Sequence, residues 1–265
     1  MKRLLLPLVL LIAIAVAVAA AWYVVDRAFG SHARLGGGGE VVSETRSLPA
    51  FSRLGVDGFA DVTLVQGTTE AITIEAPAKQ LPNVRTEVRD GTLTITSEDP
   101  RGFLGSMFGG GPRAAKVTVT FRALDGVRAA GAVKLKANGI KADALAVNVS
   151  GAASLAIAGL DAKELAVSGS GAMKAELAGR AGEQKVSISG AGEYRAPNLL
   201  TDSARVSVSG AGKVVVNAVR TLDVSISGAG SVDYLGDPVV SEHISGAGRV
   251  RKRESVHTGP GIART

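Results

Sequence analysis

Apolar and polar residues alternate with a period of two through most of this chain. "VDGFADVTLV" (56–65) sets Val56, Gly58, Ala60, Val62 and Leu64 on one parity, and "AITIEA" (71–76) and "KVTVTF" (116–121) follow the same rule. Period two places alternate side chains on opposite faces of a strand. "EVRDGTLTI" (87–95) interrupts two such runs with Asp90-Gly91, a pair that tolerates positive φ and predicts a type I′ hairpin. Outside residues 1–25 no segment sustains a 3.6-residue period, so the pattern predicts an all-β chain.

The second half repeats itself. "VSISGAG" occupies 186–192 and 224–230, and "VSVSGAG" occupies 206–212. The motif glycine recurs as Gly131, Gly151, Gly171, Gly190, Gly210, Gly228 and Gly246, at intervals of 20, 20, 19, 20, 18 and 18 residues. Four residues before it stand Val127, Val147, Val167, Val186, Val206, Val224 and finally Glu242. Two before it come Ala129, Val149, Gly169, Ile188, Val208, Ile226 and Ile244. Four after it come Leu135, Leu155, Ala175, Tyr194, Val214, Val232 and Val250. These three columns share the inward parity. Ser150, Ser170, Ser189, Ser209, Ser227 and Ser245 form an outward column, and alanine follows the glycine every time from Ala132 to Ala247.

Periods near 20 with strand alternation predict a β-solenoid or β-helix-like stack of ~18–20-residue coils. The leucine-rich signature of similar length is missing. Stacked at ~4.8 Å, six intervals span about 29 Å. Inward Val and Ile then form apolar ladders, and outward serines are placed to hydrogen-bond along their column. Glycine is expected where the chain bends or where walls approach closely.

The ends differ from the repeat. Lys2 and Arg3 precede an apolar run from Leu4 to Val25, whose 22 residues would span about 33 Å as a helix. Such a run is an uncleaved anchor or, given Ala17-Val18-Ala19 and Ala19-Ala20-Ala21, a signal peptide. Both send the chain across the membrane, and residues 4–25 would hold it there if uncleaved. Residues 26–45, with four consecutive glycines, are expected to be a stalk. The repeat domain is expected over 46–248. An apolar insertion at 101–113 contains Phe103, Leu104, Met107 and Phe108, either a contact finger or a loop folded over the core.

Charge narrows the partners. The net +6 resides at the two ends, because the stretch 26–248 is neutral. Nucleic acid is therefore not expected. Residues 249–265 are expected to be a disordered basic tail. Its Arg249, Arg251, Lys252 and Arg253 either meet an anionic envelope polymer or lipid head group, or simply solvate the tail.

Candidate chemistry is sparse. No cysteine is present, which excludes disulfides, thiolate metal sites and a Cys nucleophile. "GAGEYR", "GAGKVV" and "GAGSVD" lack the third glycine of a dinucleotide fingerprint, and no phosphate-binding loop occurs. His32, His243 and His257 are scattered. Asp143, Asp161, Glu164, Asp202, Asp223, Asp233 and Glu242 fall at varied repeat positions, as solvated surface residues would. Six equivalent serines make a structural column rather than one activated nucleophile. Catalytic, cofactor and metal residues are accordingly not assigned.

"GVDGFADVTLVQG", "AITIEA", the hairpin and the recurrent "SISGAG" together resemble the head GIN domain of putative autotransporter adhesins, a bacterial envelope family. The resemblance covers residues 46–248. It implies a β-solenoid in an exported or anchored protein and brings no catalytic residues. The expected function is a non-enzymatic envelope protein presenting a rigid stack for adhesion, scaffolding or binding of envelope polysaccharide or protein. Outward residues such as Lys174, Glu193 and Lys213 would form its contact surface. Alternatives are a polysaccharide-cleaving β-helix enzyme, which needs converging carboxylates, and a membrane-anchored envelope-stress accessory protein.

Overall fold

The computed structural model describes residues 41–97 and 114–254, which are all-β apart from a 3₁₀ turn at Leu81–Asn83. The apolar run 4–25, the stalk to residue 40, Phe103, Leu104, Met107, Phe108 and residues 255–265 lie outside the described residues. In chain order the strands are β1 (Val41–Ser47), β2 (Arg53–Gln66), β3 (Ala71–Pro77), β4 (Val84–Arg89), β5 (Thr92–Ser97) and β6 (Ala115–Phe121). They continue as β7 (Gly126–Asn138), β8 (Lys141–Gly210), β9 (Lys213–Gly228), β10 (Ser231–Leu235), β11 (Val239–Gly246) and β12 (Arg249–Lys252).

Strand β8 is 70 residues of continuous ladder. Drawn straight at ~3.3 Å per residue it would exceed 200 Å, so it must turn repeatedly. The turns fall at glycines. Gly151, Gly171 and Gly190 have φ of 103°, 112° and 123°, and Gly159 and Gly179 make a second set at 66° and 136°. Burial follows three stretches per repeat. In the repeat opened by Ala146, Val147 and Val149 are buried before the first corner, Ala153, Leu155 and Ile157 after it, and Leu160, Ala162 and Leu165 beyond the second.

Successive repeats lie side by side in parallel register. Gly58 pairs with Gly131, Gly131 with Gly151, Gly210 with Gly228 and Gly228 with Gly246. Inward columns stay aligned: Val62 meets Leu135, Leu135 meets Leu155, and Val214 meets Val232, which meets Val250. The first corner of this series is Gly58, with φ 101°. Its alternation with Val56 and Ala60 continues unbroken through this bend, which lies inside β2.

The N-terminal end is closed differently. Strand β5 lies parallel on the first half of β2 and β6 on the second half. Antiparallel β4 then covers β5, and antiparallel β3 and β1 continue from β6. Arg46 Nη1 donates to Thr86 Oγ1 at 2.7 Å and ties β1 to β4 across that end. The predicted hairpin joins β4 to β5, with Asp90 and Gly91 at φ 48° and 69°.

Inside the first corner, side-chain sizes are complementary within each rung. The residues two before and two after the glycine are Ala129 and Val133, Val149 and Ala153, Gly169 and Met173, Ile188 and Gly192, Val208 and Gly212, Ile226 and Gly230, then Ile244 and Gly248. A Cβ on Gly169 would lie 2.8 Å from Met173 Sδ, and one on Gly192 2.9 Å from Ile188 Cγ2. The corner holds one large side chain, and the rungs differ in which flank supplies it. Further along, fully buried Tyr194 fills the space beside Ala175 and receives a hydrogen bond from Gln184 Nε2. Gln184 stands where neighbouring rungs put Leu165 and Ala204, and its buried Oε1 has no protein partner.

Two stability experiments follow from this packing. In Gly212→Ala the new methyl meets Val208 Cγ1 at 2.8 Å, costing about 1–3 kcal/mol. Adding Val208→Ala should recover part of that loss in urea unfolding, whereas no side-chain truncation should rescue Gly210→Ala, which meets a carbonyl and has φ 125°. Burial also pushes the Tyr194 hydroxyl well above its ordinary pKa, and the Gln184 hydrogen bond offsets this only in part. An unfolded tyrosine ionises near pH 10 while folded Tyr194 keeps its proton. Its contribution is therefore intact below pH ~10 and falls above it by up to about 1.4 kcal/mol per pH unit. Unfolding midpoints from pH 9 to 11 should drop more steeply for the native chain than for Tyr194→Phe.

Candidate functional surface

Each rung presents outward residues on three stretches, and the three carry different chemistry. Before the first corner the surface is hydroxylic. Asn148, Ser150, Ser168, Ser170, Ser187 and Ser189, with Arg128, line a shallow depression of about 410 Å³. Among the described residues the serines of this column do not hydrogen-bond one another, unlike Thr45 with Thr73 at 3.0 Å or Thr221 with Ser203 at 2.8 Å. Neighbouring rungs stand ~4.8 Å apart, and Ser170, Ser189, Ser209, Ser227 and Ser245 are exposed to solvent. The ladder of serine hydrogen bonds anticipated from the repeat is not formed.

Beyond the second corner, three acids pair with bases on adjacent rungs, while Glu164 and Glu183 line one depression without an ion pair to a described residue. Lys163 meets Asp143 at 2.7 Å, Arg205 meets Asp223 at 3.2 Å, and Arg220 approaches Asp202 at 3.8 Å. The hydrogen bond and charge of Lys163 hold the Asp143 carboxyl below its ordinary pKa, and Asp143 raises Lys163 in return. Carboxylates tied one-to-one to cations are poorly suited to act as a general acid and base pair. No cluster of three or more metal-ligating side chains occurs among the described residues.

The stretch after the first corner is the basic one. Three residues beyond each corner glycine stand Asp61, Lys134, Ser154, Lys174, Glu193, Lys213, Ser231 and Arg249. The ladder aligns Asp61 with Lys134, Lys134 with Ser154, Glu193 with Lys213, Lys213 with Ser231 and Ser231 with Arg249. Beside this column runs a groove of about 500 Å³, floored by Ala156, Ala158 and Ala178 and edged by Lys136, Glu176 and Arg195. The sequence-predicted contact residues Lys174, Glu193 and Lys213 thus share one column, and Arg249 continues it.

Arg249 belongs to that column because the basic segment does not begin as a tail. Arg249–Lys252 is strand β12, parallel to β10. Asp233, fully buried, anchors it: Arg251 Nε donates to Oδ1 at 3.1 Å, and Arg253 Nη2 makes an ionic contact with Oδ2 at 2.6 Å. Lys252 pairs with Asp237, which raises the lysine's pKa. Its repeat position groups Asp233 with solvated acids, whereas the fold buries it completely. The signal that could have found it is Arg251, which stands one repeat later at the same position. At this end β11 is exposed, with Val239 77% and Ile244 38% accessible, and Glu242 takes the inward column position that six valines hold elsewhere.

A family model described as putative auto-transporter adhesin, head GIN domain, matches residues 50–238. Among solved structures, a putative adhesin from Bacteroides fragilis is 22% identical, covers 82% of this chain and 98% of its own, and superposes with a TM-score of 0.72. A putative adhesin from Parabacteroides merdae is 22% identical over 82% and 98% of the two chains, with a TM-score of 0.60. A putative lipid binding protein from Parabacteroides distasonis is 20% identical over the same shares, with a TM-score of 0.57. At these identities the likeness is one of fold. No curated protein matches the chain.

Asp233→Asn should free Arg251 and Arg253 and loosen the last rung. Losing hydrogen bonds to a charged group costs on the order of 1–3 kcal/mol. The local readout is faster hydrogen exchange at Arg253, whose amide bonds Tyr234 O at 2.7 Å, with the amides of β7 unchanged.

Proposed function

This chain belongs to the head GIN domain family of putative auto-transporter adhesins, and on that premise we propose that it is a non-enzymatic cell-envelope protein whose β-solenoid serves as a rigid contact surface. One observation carries the reading: corner glycines from Gly58 to Gly246 stack rung on rung, each with positive φ. A stack of this kind holds its outward columns at fixed spacing and offers them along its whole length. The interior is filled, since Val56, Val62, Val133, Tyr194, Val214 and Val232 are all inaccessible. Ligands are therefore met on the outside: the hydroxylic depression, the groove beside the basic column and a third depression around Glu164, Glu183 and Asp223 are lined largely by outward residues.

Lys2, Arg3 and the apolar run Leu4–Val25 support export of the domain, anchored or released. Residues 46–248 act as the domain, and β12 extends it. Polysaccharide cleavage is the weaker reading because Asp143, Asp202 and Asp223 are each held by a base on a neighbouring rung.

The expected result in a fractionation experiment is retention of the purified full chain by cell-envelope material, with no release of reducing sugar. Failure to sediment with any envelope fraction, or turnover of a polysaccharide, would count against this function.

A further inference from the structure

Charge on the basic column alternates with the rungs, and that alternation sets a length. Lys134, Lys174, Lys213 and Arg249 occupy every second rung, with Ser154, Glu193 and Ser231 between them. Rungs repeat at ~4.8 Å, so cations recur at about 9.6 Å along roughly 29 Å of the stack. Glu193, the intervening acid, lies 3.5 Å from Arg195 on its own rung. Lys136, Lys213 and Arg249 form no ion pair with a described residue.

The surroundings of the column fit a chain running along the stack. Alanine occupies the position next to each corner from Ala132 to Ala247. On the other side lies the groove floored by Ala156, Ala158 and Ala178. Near Lys134 and Lys174 the surface is therefore low at these alanines and rises at Lys136, Glu176 and Arg195. Ser154 and Ser231 supply hydroxyls between them, able to donate to and accept from sugar hydroxyls. A membrane surface is the poorer match, because interfacial binding needs aromatic or large apolar side chains to bury and neither column carries one. An uncharged glycan is also a poor match, since the track offers no aromatic ring on which a sugar could stack.

We propose that this face binds a linear acidic polysaccharide carrying one carboxylate per disaccharide, laid along the stack so that successive carboxylates meet successive cations. The interval between cations is close to the length of a disaccharide in an extended 1,4-linked glycan. Binding is multivalent: each ion pair is exposed and weak, and the regular spacing lets several form on one chain. The proposal rests on the contact function above and specifies its partner.

Hyaluronan, with one carboxylate per disaccharide, is a suitable probe for the purified full chain. Chitin oligosaccharides provide the uncharged comparison and phosphatidylglycerol vesicles the anionic-lipid one. Hyaluronan is expected to bind, to weaken as salt rises, and to bind more tightly once its length spans three or more disaccharides. The double substitution Lys213→Gln with Arg249→Gln should weaken it roughly twofold to thirtyfold. Lys185→Gln, on a different stretch, should leave affinity unchanged. Thermal unfolding of each variant checks that the stack is intact, and Lys136→Gln supplies an independent test at the groove should Arg249→Gln disturb β12. Hyaluronan binding that is absent at low salt, or unaffected by Lys213→Gln with Arg249→Gln and by Lys136→Gln, overturns the proposal. Equal binding to chitin, or vesicle binding that exceeds hyaluronan binding, overturns it too. If the chain still sediments with envelope material in those cases, the contact function survives and only its partner is wrong.

Discussion

The steric state of one backbone position governs this molecule. At each first corner the chain needs positive φ, and the next rung lies so close that a Cβ would sit 2.5–2.9 Å from the carbonyl oxygen of the glycine below, from Gly131 through Gly246. Either demand alone disfavours a side chain, and together they require glycine. Because every corner rests on the previous corner, the bends stay in line. The inward and outward columns inherit that alignment.

Once the corners are in line, the interior becomes a packing problem solved rung by rung. The space inside the bend accepts one large side chain, and Met173, Ile188 and Val208 take it from opposite flanks. Dense interiors are sensitive to single methyl groups, and this limit explains why the second glycine of "GAG" appears only where Ile or Val precedes the corner. The same alignment acts on the surface. It pairs Asp143 with Lys163 on one stretch and spaces Lys134, Lys174, Lys213 and Arg249 on another. Surface charge recurs at intervals dictated by the backbone.

The two ends obey different rules because a stack leaves edges. At the N-terminal end antiparallel β1 and β4 close over the first rung, and Arg46 joins them through Thr86. At the other end β11 and β12 are edge strands with no further partner among the described residues, a configuration prone to unwanted pairing. Glu242, at an inward position, and the charged side chains of β12 around buried Asp233 make that edge a poor template for a second chain. Inward charge of this kind is a known protection for exposed edges.

By itself the sequence determined the strand character, the hairpin at Asp90-Gly91, the positions of the corner glycines and the parity of the Val, Ile and Ser columns. Those properties are local or strictly periodic, so period two and an interval near 20 residues reveal them. Tertiary structure alone decided that Gly58 is also a corner, since its neighbours Val56 and Ala60 preserve the alternation through the bend. It decided that Gln184 meets Tyr194, and that Arg251 and Arg253 close on Asp233 to turn an apparent tail into a strand. It also decided that the described column serines form no hydrogen bonds with one another and that Lys136 and Arg195 line a groove. Each of these depends on distances between rungs, and a one-dimensional pattern specifies which residues are equivalent without specifying how near they come.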